Sequence, residues 1–321
     1  MSDSWNAIFQ NCWYVGDNFN CILYGVELVL YFTTVWLLLD ARARRKRHCV
    51  VDSTEPAKSW RILFLSTGIL CMITIYLFAQ NFFGQQMWIN NAGYPGGSGQ
   101  YYSDHAAVWY QTMGSASSVV MNYMSDAYFW LGEFQIHRVY AIWDCNIYVI
   151  IVPSILYAGT FVLGILTCYY SGRPGGDFFV GIAPRIALAY SAVGIAMNII
   201  CTLLICARIF YITQSSGSRE VGVLHSDSRR NQMFYKVIEM IVESMLPYTL
   251  FGVAYVTTLG LNSPVSILFL SLYIMFTCLS PQMLILQLLN EIWRLHEIAS
   301  RHWNFCTFRP TKPQGCFWVA V

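Results

Sequence analysis

Residues 21–39 read CILYGVELVLYFTTVWLLL, and residues 40–47 follow at once as DARARRKR. The first stretch carries Glu27 as its only charge and, coiled at about 1.5 Å per residue, reaches across the roughly 30 Å hydrocarbon core of a bilayer. The basic cluster behind it marks a cytoplasmic end, because Lys and Arg are retained on that side. Outward from this stretch the same pattern recurs over residues 62–83, 113–136, 147–170, 186–212, 237–259 and 265–289. Seven apolar runs predict an all-α, seven-transmembrane helix bundle over residues 21–289, between an N-terminal segment 1–20 and a tail 290–321. The composition agrees: 56% of the chain is hydrophobic and only 11% charged, which excludes a soluble globule. The alternation of a membrane β-barrel is missing, and only helices satisfy their own backbone inside lipid.

Charge sets the direction of threading. Counted in alternate inter-run segments, seventeen Lys and Arg fall on one side and two, Arg173 and Arg185, on the other. The expectation is an outside N-terminus and a cytoplasmic C-terminus. Residues 1–19 contain no basic residue ahead of an apolar core, so no cleavable signal peptide is expected. Trp36, Trp60, Trp88, Trp109 and Trp143 lie near run ends, where amphipathic rings anchor at headgroup level.

Several function classes lose support. A net charge of +2 without a basic face argues against nucleic acid as a partner. The eleven cysteines form no CxxC pair, and the six histidines sit in loops or at run ends, so no metal site is expected. No glycine-rich phosphate loop and no Gly-x-Ser-x-Gly occurs, and no run contains a lysine to carry a retinal Schiff base. The expectation is a protein without enzymatic activity and without a cofactor, partnered first by the lipid bilayer.

The informative residues are those that are costly in lipid. Five carboxylates fall inside the runs: Glu27, Asp126, Glu133, Glu239 and Glu243. Each costs roughly 2.5–3.5 kcal/mol at membrane depth and so calls for a partner or a task. In the third run Ser115, Ser118, Asn122, Asp126, Glu133 and His137 share about 100° of helical arc. The candidate ligand or ion site is therefore Ser118, Asn122, Asp126 and Glu133, faced by Asn198 of the fifth run and Thr277 of the seventh. Interhelical hydrogen bonding explains the same stripe equally well. Glu27, Tyr31 and Thr34, and likewise Thr67, Thr74 and Asn81, form weaker stripes of the packing kind.

At the inner ends, Arg138 closes the third run while Glu239 and Glu243 stand i to i+4 in the sixth, a candidate cytoplasmic gate. Snorkelling of Arg138 to lipid phosphates is the competing reading. Pro247 and Pro281 interrupt the sixth and seventh runs as candidate hinges, and Pro153 the fourth. The outer loop 84–112 joins glycine and proline turns to Tyr94, Tyr101 and Tyr102, which suit a lid over an outward cavity. In the tail, Ile292, Leu295, Ala299 and Trp303 recur at helical spacing and suit an interfacial helix, with Cys306 and Cys316 beyond as acylation candidates.

Asp126, the run Arg138-Val139-Tyr140-Ala141-Ile142-Trp143, Val152-Pro153, the stretch VIEMIVES at 237–244 with Tyr248, and Leu279-Ser280-Pro281 together resemble a large, uncharacterised seven-span family of mushroom-forming fungi. A looser similarity is to G-protein-coupled receptors, through the outside N-terminus, the arginine and tyrosine at the third inner end and the prolines of the sixth and seventh runs. The resemblance implies an architecture and brings no established activity. The expected function is receptor-like: a small-molecule ligand sensed from outside or from the membrane, with a cytoplasmic signalling protein engaged at the inner ends of the third and sixth helices, at the plasma membrane. The alternative is a proton- or cation-coupled carrier or channel using the acids of the third helix.

Overall fold

Without water to satisfy them, the backbone groups of each apolar run must close on themselves, and the run coils. The computed structural model describes residues 3–48, 55–131, 147–173, 182–217 and 226–307, and contains helices and no strand among them. The helices are α1 (Asp3–His48), α2 (Glu55–Gln85), the short α3 (Gly97–His105), α4 (Trp109–Leu131), α5 (Ile147–Ser171), α6 (Ala183–Gly217), α7 (Ser226–Gly260) and α8 (Ser266–Thr307). The seven long ones close a ring in chain order, each packing on the next and α8 on α1, while α8 also reaches across to α2 and α4.

Six of these helices are long and apolar enough to cross a membrane: α1, α2, α5, α6, α7 and α8. Over its described residues α4 is not among them, because Gln111, Ser115, Ser117, Ser118, Asn122, Ser125 and Asp126 dilute its apolar side chains. Those polar groups turn away from the surroundings: Gln111, Ser117, Ser125 and Asp126 are buried. The bundle as a whole has this inverted arrangement. Phe64 is 73% exposed on the outer surface, with Phe32, Trp36, Phe78 and Ile155 similarly placed, while Glu27 is 0% exposed. An exterior of large apolar side chains is stable only against lipid.

Close approach and hydroxyl pairs join the helices. A Cβ on Gly114 of α4 would stand 3.0 Å from the Ala79 Cβ of α2, so these helices meet at small residues. Between α1 and α2, Thr67 and Thr74 donate to carbonyls one turn back, leaving their oxygens to accept from Tyr31 at 3.1 Å and Tyr24 at 2.9 Å. Tyr31, Thr67 and Thr74 of the stripes in the first two runs thus make contacts between these helices. Pro153, Pro247 and Pro281 lie inside α5, α7 and α8, each of which continues past its proline.

Two boundaries differ from the sequence reading. The first apolar run begins at residue 21, but α1 starts at Asp3. Its polar first turns are held by Phe9 and Trp13, both buried against the segment 84–112. Residues 290–305 continue α8 to Thr307, so they are not a separate tail element.

Candidate functional site

The polar face of α4 borders a cavity of about 130 Å³ at the end of the bundle that carries α3. Spacings of four, three and four place Gln111, Ser115, Ser118 and Asn122 on one stripe of that wall. Tyr76 and Gln80 of α2, Tyr190 and Ser191 of α6, Tyr255 of α7, and Tyr273 and Thr277 of α8 face them, and Tyr102 of α3 covers them. Among the described residues the wall contains hydroxyls, amides, aromatic rings and aliphatic groups and no charged side chain. A bound molecule there meets hydrogen-bonding groups, and none of these described residues offers a counter-charge.

Of the six site residues expected from sequence, three line this cavity. Ser118 donates to the Ser115 carbonyl at 2.8 Å, Asn122 donates to the Tyr190 hydroxyl at 2.6 Å, and Thr277 donates to the Tyr273 carbonyl at 2.8 Å. Asp126 is buried one turn deeper and is not on the wall. It lies within Coulombic reach of the Tyr190, Tyr248 and Tyr273 hydroxyls. Asn198 belongs to the same deeper layer, donating to Tyr248 at 3.3 Å and to the Gly194 carbonyl at 3.1 Å; Tyr248 in turn bonds Tyr273 at 3.1 Å. Ser125 donates to the Thr277 carbonyl at 3.1 Å, tying α4 to α8 beside this chain. Glu133 lies outside the described residues.

The cap is more ordered than a plain turn-rich loop. After α2 a π-helical turn spans Gln86–Asn90, closed by the Asn91 amide on the Gln86 carbonyl at 3.1 Å. Gly96 and Gly97 adopt φ of 88° and 78°, a region open to glycine, and start α3. Asn6 donates to the Gly96 carbonyl at 3.1 Å, strapping α1 to the cap. Phe9, Trp13, Phe83, Met87, Tyr101 and Tyr102 form one buried aromatic cluster beneath it. Tyr94 remains outside and donates to the Asp104 carboxylate at 2.9 Å, a bond that raises its hydroxyl above the usual phenol range.

Beside the main cavity is an annex of about 30 Å³, with Tyr76, Gln80, Tyr102, Gln111 and Leu270 in the walls of both. Asp17 and Asn20 of α1 complete it. Farther along α1, Glu27 is sealed against Cys278 and Gln282 of α8, and neither carboxylate oxygen reaches hydrogen-bond geometry. Trp13, Asn20, Glu27 and Thr34 recur every seven residues along α1, all of them buried. That heptad was the available signal for this seam, but it extends past the apolar run at its outer end.

At the end of the bundle opposite the cap, Lys236 of α7 pairs with Glu291 of α8 at 2.6 Å, and Gln287 of α8 donates to Glu243 of α7 at 3.3 Å. Arg294 also approaches Glu291, at 3.6 Å. Glu239 is exposed, and Arg138 lies outside the described residues. Among the described residues the tie at this end therefore joins α7 to α8, through Glu291, which lies beyond the seventh apolar run. No protein-family model, no curated protein and no solved structure matches the chain.

Proposed function

We propose that the protein is a receptor-like, multi-pass membrane protein of the plasma membrane. It crosses the bilayer seven times, with α4 as the third span, the N-terminus outside and the C-terminus in the cytoplasm. A small molecule enters the capped cavity and shifts the inner ends of the helices, where a cytoplasmic signalling protein engages. The observation that carries this reading is the polar, capped cavity at one end of the bundle. Its cap belongs to the lysine- and arginine-free segment 84–112, while the opposite end holds the basic cluster of residues 42–47. α8 supports a link between the two ends, since it supplies Tyr273 and Thr277 to the cavity and Gln287 and Glu291 to the tie with α7.

The carrier reading requires ions or protons to pass along α4, and Asp126 lies off the cavity wall. Flux separates the two readings. The protein in proteoliposomes is expected to show no pH-driven or cation flux, whereas flux abolished by Asp126→Asn would establish the carrier. For the receptor, mass spectrometry of the detergent-purified protein is expected to find a small molecule that co-elutes with wild type and is lost from Ser118→Trp, which fills the cavity. Equal recovery from both would contradict the assignment of the cavity.

A further inference from the structure

The annex beside the main cavity has an imbalance of hydrogen-bonding groups. Asp17 Oδ1, Asn20 Oδ1 and Gln111 Oε1 are all buried atoms without a hydrogen-bond partner, and all three side chains line this 30 Å³ space. Asn20 is 1% exposed and Gln111 6%, so bulk water does not reach them. A buried acceptor without a donor forfeits its hydration uncompensated, and three around one small space call for an occupant. All three are oxygens, and one belongs to a carboxylate that makes no ion pair with a described residue. The missing partner must therefore donate, and a positive charge suits it best.

We propose that the annex holds the ammonium head of a small primary amine whose uncharged body fills the main cavity. A primary ammonium brings three N–H donors and one positive charge, matching three acceptors and one carboxylate. The aromatic side chains of Trp13 and Tyr102 also line the annex. The body is constrained independently. Among the described residues the main cavity presents no charged side chain, so a second charge on the ligand would lose its hydration without compensation from them. Its 130 Å³ is close to the roughly 150 Å³ of an engineered cavity that accepts benzene, which limits the body to about one ring or a short chain. Ser115, Ser118, Asn122 and Thr277 favour hydroxyl substituents on that body.

This inference rests on the cavity being a ligand site. The test titrates the full-length protein in detergent with tyramine, 2-phenylethylamine and ethanolamine, following thermal stability and calorimetric heat. Each amine is paired with its deaminated analogue and its N-trimethylated analogue, and sodium and potassium chloride are run alone. At least one primary amine is expected to bind wild type about tenfold or more tightly than both of its analogues, the preference that charge-assisted bonds supply. Asp17→Asn is expected to remove that preference. If no primary amine outperforms its analogues at millimolar concentration, or if sodium or potassium alone gives the same stabilisation, the proposal is overturned. These ligand comparisons are made on wild type and do not depend on a variant folding. Amine binding that survives Asp17→Asn but is lost in Ser118→Trp would refute the ammonium assignment and leave the cavity reading intact. Binding that survives Ser118→Trp would refute the cavity itself.

Discussion

Tyr248→Phe isolates the polar layer beneath the cavity. The Tyr248 hydroxyl accepts from Asn198 at 3.3 Å and bonds the Tyr273 hydroxyl at 3.1 Å, while its ring packs on the Tyr273 ring at 5.2 Å between centroids. Removing one oxygen leaves the ring contact in place. The Asn198 Nδ2 group keeps the Gly194 carbonyl as an acceptor, so this donor is not orphaned. The loss is then two interhelical hydrogen bonds, each about 0.6 kcal/mol on average in a membrane bundle and at most about 1.7. The expected destabilisation is about 1–2 kcal/mol, a roughly five- to thirtyfold change in the folded-to-unfolded ratio. Titration of mixed micelles with a denaturing detergent, followed by tryptophan fluorescence, reads it. Combined with Tyr273→Phe, the cost should fall short of the sum of the single costs by about 0.5 kcal/mol or more, because the two share a bond. Strict additivity, or a Tyr248→Phe protein as stable as wild type, would show that this chain does not join α6, α7 and α8.

Three further perturbations probe other parts of the fold. Phe9→Ala removes a 0% exposed ring in contact with Trp5, Trp13 and Tyr102. It is expected to cost about 3–5 kcal/mol and to make residues 84–112 susceptible to protease added on the cap side. Gly114→Val places a side chain against Ala79, is expected to cost about 1–3 kcal/mol, and should be partly rescued by Ala79→Gly in the same unfolding assay. Lys236→Ala breaks a pair whose side chains are 44% and 25% exposed, so its cost should stay below about 1 kcal/mol and shrink further in high salt.

Helix type and approximate placement were legible because apolar run length reports directly on the bilayer that a helix must cross. The stripe on the third run was legible for the same reason, since polar groups in a lipid-solvated helix have to face protein. Ser118, Asn122 and Thr277 do line the cavity. Asp126 shares their arc but not their depth, and helical phase does not tell how far down a cavity extends. Tyr76, Tyr190, Tyr255 and Tyr273 were harder to assign, because a tyrosine in an apolar run suits a headgroup anchor and a buried hydroxyl equally. Asp17, Asn20 and Gln111 lie just outside the apolar runs, in segments that read as solvated. They become interior only because α1 extends to Asp3 and the aromatic cap closes above it. The Lys236–Glu291 tie joins positions far apart in sequence, and no local pattern pairs them.

The proposed threading places the cavity mouth outside, beneath the 84–112 cap. Its most direct test is an epitope inserted at Gly93, where a side chain would meet open space, and a second one inserted after Gly217 in a separate protein. Antibody access is then compared in intact and permeabilised cells. The account predicts that the Gly93 epitope is read in intact cells and the Gly217 epitope only after permeabilisation. Access to both, or to the Gly217 epitope alone, before permeabilisation would contradict it.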